Sequence, residues 1–284
     1  MFERFSRSWA LIKASASVLQ KDKELMVFPA VSSVAAILVA ASFLAPLFLM
    51  LQGNPEAFEQ KELSPIWYVW AFAFYMSQYF VIFFFNTALV GAASIRLEGG
   101  DPTVADGLRI AWSKIGTILG YAAIAATVGM ILRAIEERAG WIGKWVAGLL
   151  GAAWTVATFM VVPVLVHKNI GPIDAVKESA LLLKKTWGEN LIGQGGVGLV
   201  FGLMQFGLWA LVGFLVVAAV STKSIGLVVT VVVTGIVCSL ILALLQAALS
   251  GIYSAALYRY AEGHVNAPEF SGELLRNAFA TRKR

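Results

Sequence analysis

Charged residues are scarce in this sequence. Only 14% of its 284 residues are Asp, Glu, Lys or Arg, whereas 59% are hydrophobic and the mean hydropathy is +0.77. Soluble domains carry about 25% charged residues, so the composition predicts an integral membrane protein. The net charge of +5 fits the Lys and Arg that membrane proteins place in cytoplasmic loops. We therefore do not expect nucleic acid as a partner.

Cysteine and histidine are nearly absent: the chain has one cysteine, Cys238, and two histidines, His167 and His264. One cysteine cannot form an intrachain disulfide or a cysteine-rich metal site. Neither histidine has a second ligand at metal-binding spacing, and no GxSxG, HExxH or Walker pattern occurs. We expect no catalytic residue, no metal and no cofactor, and we do not expect an enzyme.

Long hydrophobic runs, in contrast, fill most of the chain. A hydrocarbon core of about 30 Å requires roughly 20 helical residues. Six runs are long enough: residues 26–51, 66–95, 115–132, 145–166, 191–220 and 225–258. The first run is too long for the core of a signal peptide. The predicted fold class is all-α, a polytopic membrane protein with six transmembrane helices in a single domain over 1–284.

The Lys and Arg residues between these runs are unevenly distributed. Of the 22 in the chain, 17 fall on the side of the two termini and five on the opposite side. Short loops that are rich in Lys and Arg stay in the cytoplasm. Both termini are therefore predicted to be cytoplasmic.

The charged stretch "GPIDAVKESALLLKKTWGEN", residues 171–190, is predicted to form an amphipathic helix. Pro172 suits the first helical position, and Asp174 complements the positive end of the helix dipole. At about fourteen residues the helix is too short to span a membrane, so we expect it in the cytoplasmic headgroup layer. Helical spacing assigns four residues to its apolar face: Val176, Ala180, Leu183 and Trp187.

Three further segments follow the same pattern. In "GDPTVADGLRIAWSKIG", residues 100–116, Asp101 is a possible cap, and Thr103 with Asp106 predicts a capping box. The apolar face of this second helix comprises Val104, Leu108, Ala111, Trp112 and Ile115. The N-terminal helix, 1–25, has an apolar face of Phe2, Phe5, Trp9, Ile12 and Leu19. A C-terminal helix over 268–280 spaces its apolar residues four apart: Phe270, Leu274 and Ala278.

The order of these segments predicts an internal repeat. A surface helix, an outward span and a return span follow one another three times, and a last surface helix closes the chain. Two of the segments that precede surface helices also match, "SIRLEGG" at 94–100 and "LYRYAEGH" at 257–264. If the three hairpins pack as a ring, they have approximate three-fold symmetry about the membrane normal.

Two interpretations of the surface helices stay open. Either they are elbows that only orient the next span, or they bind anionic lipid or a cytoplasmic partner. The second interpretation has five candidate lipid contacts: Lys177, Lys184, Lys185, Arg109 and Lys114.

No ionisable residue lies near the centre of a span, where such residues are usually functional. Uncharged polar residues do occur there, and they commonly form hydrogen bonds between helices. The alternative is a weakly polar path for a solute. Its candidate lining residues are Gln78, Asn86, Gln205 and Gln246.

The segments "NIGPIDAVKESALLLKKTWGENLIG" (169–193) and "FSRSWALIKASASVLQKDKELMVFP" (5–29) resemble a family of uncharacterised prokaryotic six-span membrane proteins. The resemblance extends over nearly the full length. More distantly, the rhythm of Pro, Asp, small, basic, Trp and Gly residues is similar to the membrane domain of bacterial glycerophosphoryl diester phosphodiesterases. Those enzymes keep their chemistry in a separate soluble barrel, which we do not expect here. The resemblance implies an architecture and no reaction.

These observations favour a membrane scaffold or accessory subunit that binds lipid or partner proteins and oligomerises. Its expected partners are membrane lipids, a second copy of the chain or another membrane protein. The alternative function is a channel or transporter for a neutral or lipidic solute. The expected location is the cytoplasmic (inner) membrane of a prokaryote, crossed six times.

Overall fold

A computed structural model describes residues 2–53, 65–138, 140–187, 197–263 and Phe270 of the chain. The expected C-terminal helix over 268–280 lies outside these residues, apart from Phe270.

The described part of the chain is built from α-helices, which confirms the all-α fold class. In chain order they are α1 (Phe2–Lys21), α2 (Val27–Gly53), α3 (Pro65–Leu97), α4 (Val104–Ser113), α5 (Ile115–Arg138), α6 (Gly140–Ala157), α7 (Val161–His167), α8 (Pro172–Trp187), α9 (Val197–Ser221) and α10 (Ile225–Ala261). A 3-10 turn, Lys23–Met26, connects α1 to α2.

Among the described residues, six stretches are long and apolar enough to cross a membrane, as the sequence predicts: Lys23–Met50, Pro65–Leu97, Ile115–Arg138, Gly140–His167, Val200–Ser221 and Ile225–Ala261. The protein is therefore a multi-pass membrane protein by helix length and composition. Three helices of the described ranges, α1, α4 and α8, are not part of a span, and we call them the surface helices.

The third span is longer than predicted, because α5 continues past residue 132 to Arg138. Arg133 donates to Glu137 across one helical turn at 2.8 Å and to the Tyr75 hydroxyl of α3 at 2.8 Å. An ion pair at this spacing is compatible with helix and supports it. Arg133 and Glu137, whose charges suggested that the span ends at residue 132, therefore belong to the last turns of α5.

The fourth span is interrupted between α6 and α7. Pro163 has no N–H to donate to the carbonyl of Phe159, which weakens the helix at this point. The backbone turns at residues 158–160 and helix resumes at Val161. The break leaves the N–H of Met160 to be satisfied from outside the span.

The residues form two compact units. The terminal unit comprises Met1–Met26, Ala93–Pro102 and Thr186–Arg284, and the central unit comprises Val27–Ala92 and Thr103–Lys185. The first surface helix is therefore grouped with the last two spans rather than with the span that follows it.

Candidate functional site

The second surface helix, α4, begins with the predicted capping box. The Thr103 hydroxyl accepts the N–H of Asp106, and the Asp106 carboxylate accepts the N–H of Thr103 at 3.1 Å. The Thr103 hydroxyl also donates to this carboxylate, and these bonds hold the pKa of Asp106 below its usual value. Asp101 was the other possible cap. It pairs with Arg96 instead, at 3.1 Å.

α4 packs on α3 through small residues. A Cβ atom at Gly107 would lie 2.5 Å from the ring of Phe28 and 2.7 Å from the carbonyl oxygen of Ala88, and Ala111 is fully buried. Trp112, which belongs to the predicted apolar face, is 62% exposed and its ring lies edge-on to that of Phe84. The close approach of the two backbones requires the smallest side chains on the side of α4 that packs on α3.

The third surface helix, α8, packs on α7 in a similar way. Ser179 is fully buried, and its hydroxyl accepts the N–H of Met160 at 3.0 Å. Lys168, just after α7, donates to Glu178 at 2.6 Å. The hydroxyl of Ser179 therefore satisfies the backbone donor that the break in the fourth span leaves open.

The buried face of α8 comprises Ala175, Ser179, Leu182 and Leu183. Leu183 belongs to the predicted apolar face, whereas Ala180 is exposed and Val176 is only half-buried. Ile173 and Leu181 point outward with exposures of 60% and 61%. Two small residues of α8, Ala175 and Ser179, therefore face inward together with two leucines, whereas two large aliphatic side chains face outward.

The first surface helix, α1, packs on α10 and α9 within the terminal unit. Its buried residues include Leu11, Ile12, Ser15, Val18 and Leu19. Ile12 and Leu19 belong to the predicted apolar face, whereas Trp9 is 42% exposed. The buried part of α10 lies near its C-terminal end, mostly between Ala248 and Tyr258.

One register relates the three surface helices. Ser15, Ala111 and Ser179 are each 0% exposed. Four residues before each of them lies another buried residue: Leu11, Gly107 and Ala175, respectively. In α4 and α8 this face contacts the return span that precedes the helix, whereas α1 contacts the last return span of the chain.

The ends of two return spans also correspond. Glu98 and Gly99 directly follow α3, and Glu262 and Gly263 directly follow α10. The two glycines have φ values of 91° and 90°, in the left-handed region that favours glycine. This similarity is local support for the internal repeat, which as a whole stays a prediction.

The candidate lipid contacts differ in their surroundings. Arg109 and Lys177 are exposed, and each pairs with an acidic residue three positions earlier, at 3.0 and 3.2 Å. Lys184 is exposed as well. Lys114 is half-buried and donates to the carbonyl of Lys168 and to the side chain of Asn169, and burial lowers its pKa. The side chain of Lys185 lies outside the described residues.

A charged cluster that sequence reasoning missed lies where α1, α3 and α10 end. Arg96 donates to Asp101 and to the carbonyls of Gly100 and Lys21. Arg259 donates to Glu98 at 2.5 Å. The one relevant pattern was the match between "SIRLEGG" and "LYRYAEGH", which contain the two arginines.

Asp22 is the most buried acid of this cluster, at 6% exposure, and its Oδ2 has no hydrogen-bond partner in the described part of the chain. Burial raises the pKa of its carboxyl, and the positive charge of Arg96 opposes the rise. In the pH window between the unfolded pKa of 3.8 and the higher folded-state pKa, the folded protein binds more protons at Asp22 than the unfolded protein does. The stability contributed by Asp22 therefore falls as the pH rises through the window.

We expect Asp22→Asn to raise the melting temperature at pH 7, with a smaller difference from wild type near pH 4, in thermal unfolding in detergent. Asp106→Asn is the control of opposite sign. Its lowered pKa contributes stability above pH 3.8 that is lost in acid, so this variant is expected to melt lower at pH 7. A lower melting temperature for Asp22→Asn at pH 7 would contradict the role of burial.

The four residues proposed to line a polar path belong to different units. Gln78 of the central unit donates to the carbonyl of Ala36 in α2 at 3.0 Å. Gln205 of the terminal unit donates to the Ser239 hydroxyl in α10. Asn86 and Gln246 are half-buried. Two of the four amides thus connect neighbouring helices, and the lining itself stays a prediction.

Among the described residues, no group of three or more His, Cys, Asp and Glu side chains could hold a metal ion. The sequence profile of a "Family of unknown function (DUF6159)" matches residues 65–267, which is most of the chain. The chain belongs to this family. No curated protein and no solved structure matches it. The residues that match DUF6159 extend from the start of α3 to beyond the end of α10. The description of the family assigns no reaction.

Proposed function

We propose that this DUF6159 protein is a membrane scaffold or accessory subunit, without catalytic activity, that binds lipid or partner proteins and self-associates. The observation that carries the proposal is the apolar surface that the spans leave exposed. In the first span, none of the most apolar stretch is buried within the chain, and in the fifth and sixth spans only 11% and 6% of that stretch are buried. In the second span, 56% of it is buried. Such surfaces are available to lipid and to other membrane helices.

The polar residues of the spans support the scaffold over the alternative of a channel or transporter. A polar path needs amide groups that face a common opening, but Gln78 and Gln205 donate to neighbouring helices. Interhelical hydrogen bonds of this kind contribute about 0.6–2 kcal/mol each to helix association in membranes. These side chains therefore act as structural contacts in the proposed scaffold.

We further propose that the protein lies in the cytoplasmic membrane of a prokaryote, with both termini and the three surface helices on the cytoplasmic side. The 17 Lys and Arg on that side, against five on the other, support this orientation. We also propose that the protein is distantly similar to the membrane domain of glycerophosphoryl diester phosphodiesterases.

The test is co-purification. We expect an untagged copy to be retained by a tagged copy when both are expressed together and extracted in mild detergent. No retention is expected when copies that were extracted separately are mixed afterwards. Mass spectrometry of the complex identifies the retained lipids and proteins. A strictly monomeric protein that retains neither lipid nor protein would contradict the proposal, and solute flux into proteoliposomes would favour the channel.

A further inference from the structure

The register of the surface helices places a basic residue at one equivalent position in each of them. Lys13, Arg109 and Lys177 each lie two residues before the fully buried small residue of their helix. All three are exposed, and the side chains of Arg109 and Lys177 are 77% and 69% exposed. Because the buried face packs on a span, this position lies on the face that the protein itself does not cover.

The acidic neighbours of two of these residues also correspond. Asp106 pairs with Arg109 and Asp174 pairs with Lys177, each across three residues. In α1 the corresponding residue is Ala10. Exposed ion pairs contribute about 0–1 kcal/mol, so a phosphate can readily replace the carboxylate as the partner of the base. Arginine and lysine both bind phosphate through charge-assisted hydrogen bonds.

Exposed apolar side chains accompany each basic residue. Trp9 precedes Lys13 by four residues, and Trp112 follows Arg109 by three. Lys177 lies between Ile173 and Leu181, one turn away on either side. Basic residues beside exposed Trp, Ile and Leu are typical of helices that lie in the interface of a bilayer containing anionic lipid.

We propose that Lys13, Arg109 and Lys177 each bind the headgroup phosphate of an anionic phospholipid, one contact per surface helix. This inference rests on the proposed lipid-binding scaffold and names its ligand class. It does not extend to Lys184, because the residues five positions after Ser15 and Ala111 are Gln20 and Gly116, and Gly116 already lies in α5.

The test compares two triple variants of equal charge by native mass spectrometry in mild detergent, with added phosphatidylglycerol or phosphatidylcholine. The first is Lys13→Gln, Arg109→Gln and Lys177→Gln. The control is Lys23→Gln, Lys144→Gln and Lys223→Gln, three exposed residues outside the repeated position. A Lys or Arg that contacts the anionic headgroups strengthens binding to anionic lipid about fivefold. We expect the first triple to bind phosphatidylglycerol at least about tenfold more weakly than wild type, with binding of phosphatidylcholine unchanged.

Three results bear on the inference. The control triple is expected to stay within about twofold of wild type for both lipids. A third triple variant keeps the positive charges but exchanges lysine and arginine (Lys13→Arg, Arg109→Lys, Lys177→Arg). It is expected to bind phosphatidylglycerol as wild type does, which separates loss of charge from loss of folding. An unchanged affinity of the first triple, or an equal loss in the control, would overturn the inference. Self-association of the same samples is measured separately, so that the proposed scaffold function and the proposed lipid sites are tested independently of each other.

Discussion

Gly107→Leu is expected to destabilise the folded protein by about 3 kcal/mol or more, the upper end of the range for overpacking. The first atom of the new side chain would lie 2.7 Å from the carbonyl oxygen of Ala88, which is backbone and cannot rotate away. The ring of Phe28 would be closer still. α4 would have to separate from α3. Thermal and denaturant unfolding in detergent, followed by circular dichroism, measures the loss.

Gly116→Leu is the matched control for this prediction. Gly116 also lies in a helix, but in the described part of the chain no atom beyond its chain neighbours and its own helix backbone lies within 4 Å of the position that its Cβ would occupy. Leucine favours helix over glycine by about 0.5–1 kcal/mol, so this variant is expected to be as stable as wild type or slightly more so. Equal stability of the two variants would contradict the close packing of α4 on α3.

Ser179→Ala and Ser15→Ala are expected to have opposite effects, although the two serines occupy equivalent positions and both are fully buried. The hydroxyl of Ser179 accepts the N–H of Met160, and its removal leaves a buried donor unsatisfied at a cost of about 1–3 kcal/mol. The hydroxyl of Ser15 has no hydrogen-bond partner in the described part of the chain. Its replacement by alanine is therefore expected to be neutral or stabilising.

The pair of serine variants is informative because each is the control of the other. Both remove one hydroxyl from the same register position of a surface helix, and both are read by the same unfolding measurement. Destabilisation by both variants to the same extent would mean that volume, not the bond to Met160, decides stability at this position.

The spans could be predicted because hydropathy responds directly to the apolar solvent. The sequence yields all six, from the first at Lys23–Met50 to the last at Ile225–Ala261. It misses the end of α5, because the charge of Arg133 suggests water although its pairing with Glu137 suits a helix. The break in the fourth span had one available signal, Pro163.

The faces of the surface helices were harder to predict. Hydrophobic periodicity predicts an apolar face, which includes Trp112 in α4 and Ala180 in α8, but it does not predict which residues pack on a neighbouring helix. The structure buries Gly107 and Ser179, which belong to neither predicted face. Helices that approach a neighbouring backbone closely need small residues at the contact, and hydropathy does not measure size. The contact partner of each helix, which decides this, is not visible in a local pattern.

The charged cluster of the terminal unit could not be predicted for a related reason. Arg259 and Glu98 are far apart in the chain but form an ion pair. Asp22 is buried beside Arg96 only because α1 ends where α3 ends. One sequence contains no information on such pairings unless a repeat relates them, and here the repeat suggests only that the two arginines are alike.

The central claim is that three equivalent surface helices pack on return spans on one side of the membrane. Cysteine accessibility is the most direct test of this claim. In a Cys238→Ser background, single cysteines replace the outward residues (Lys13, Arg109 and Lys177) and the inward residues (Ser15, Ala111 and Ser179). A membrane-impermeant thiol reagent is applied to inverted vesicles and to intact cells. We predict that the outward cysteines react only in inverted vesicles and that the inward ones react only after unfolding. Reaction of an inward cysteine as fast as its outward neighbour, or of an outward cysteine in intact cells, would contradict the claim.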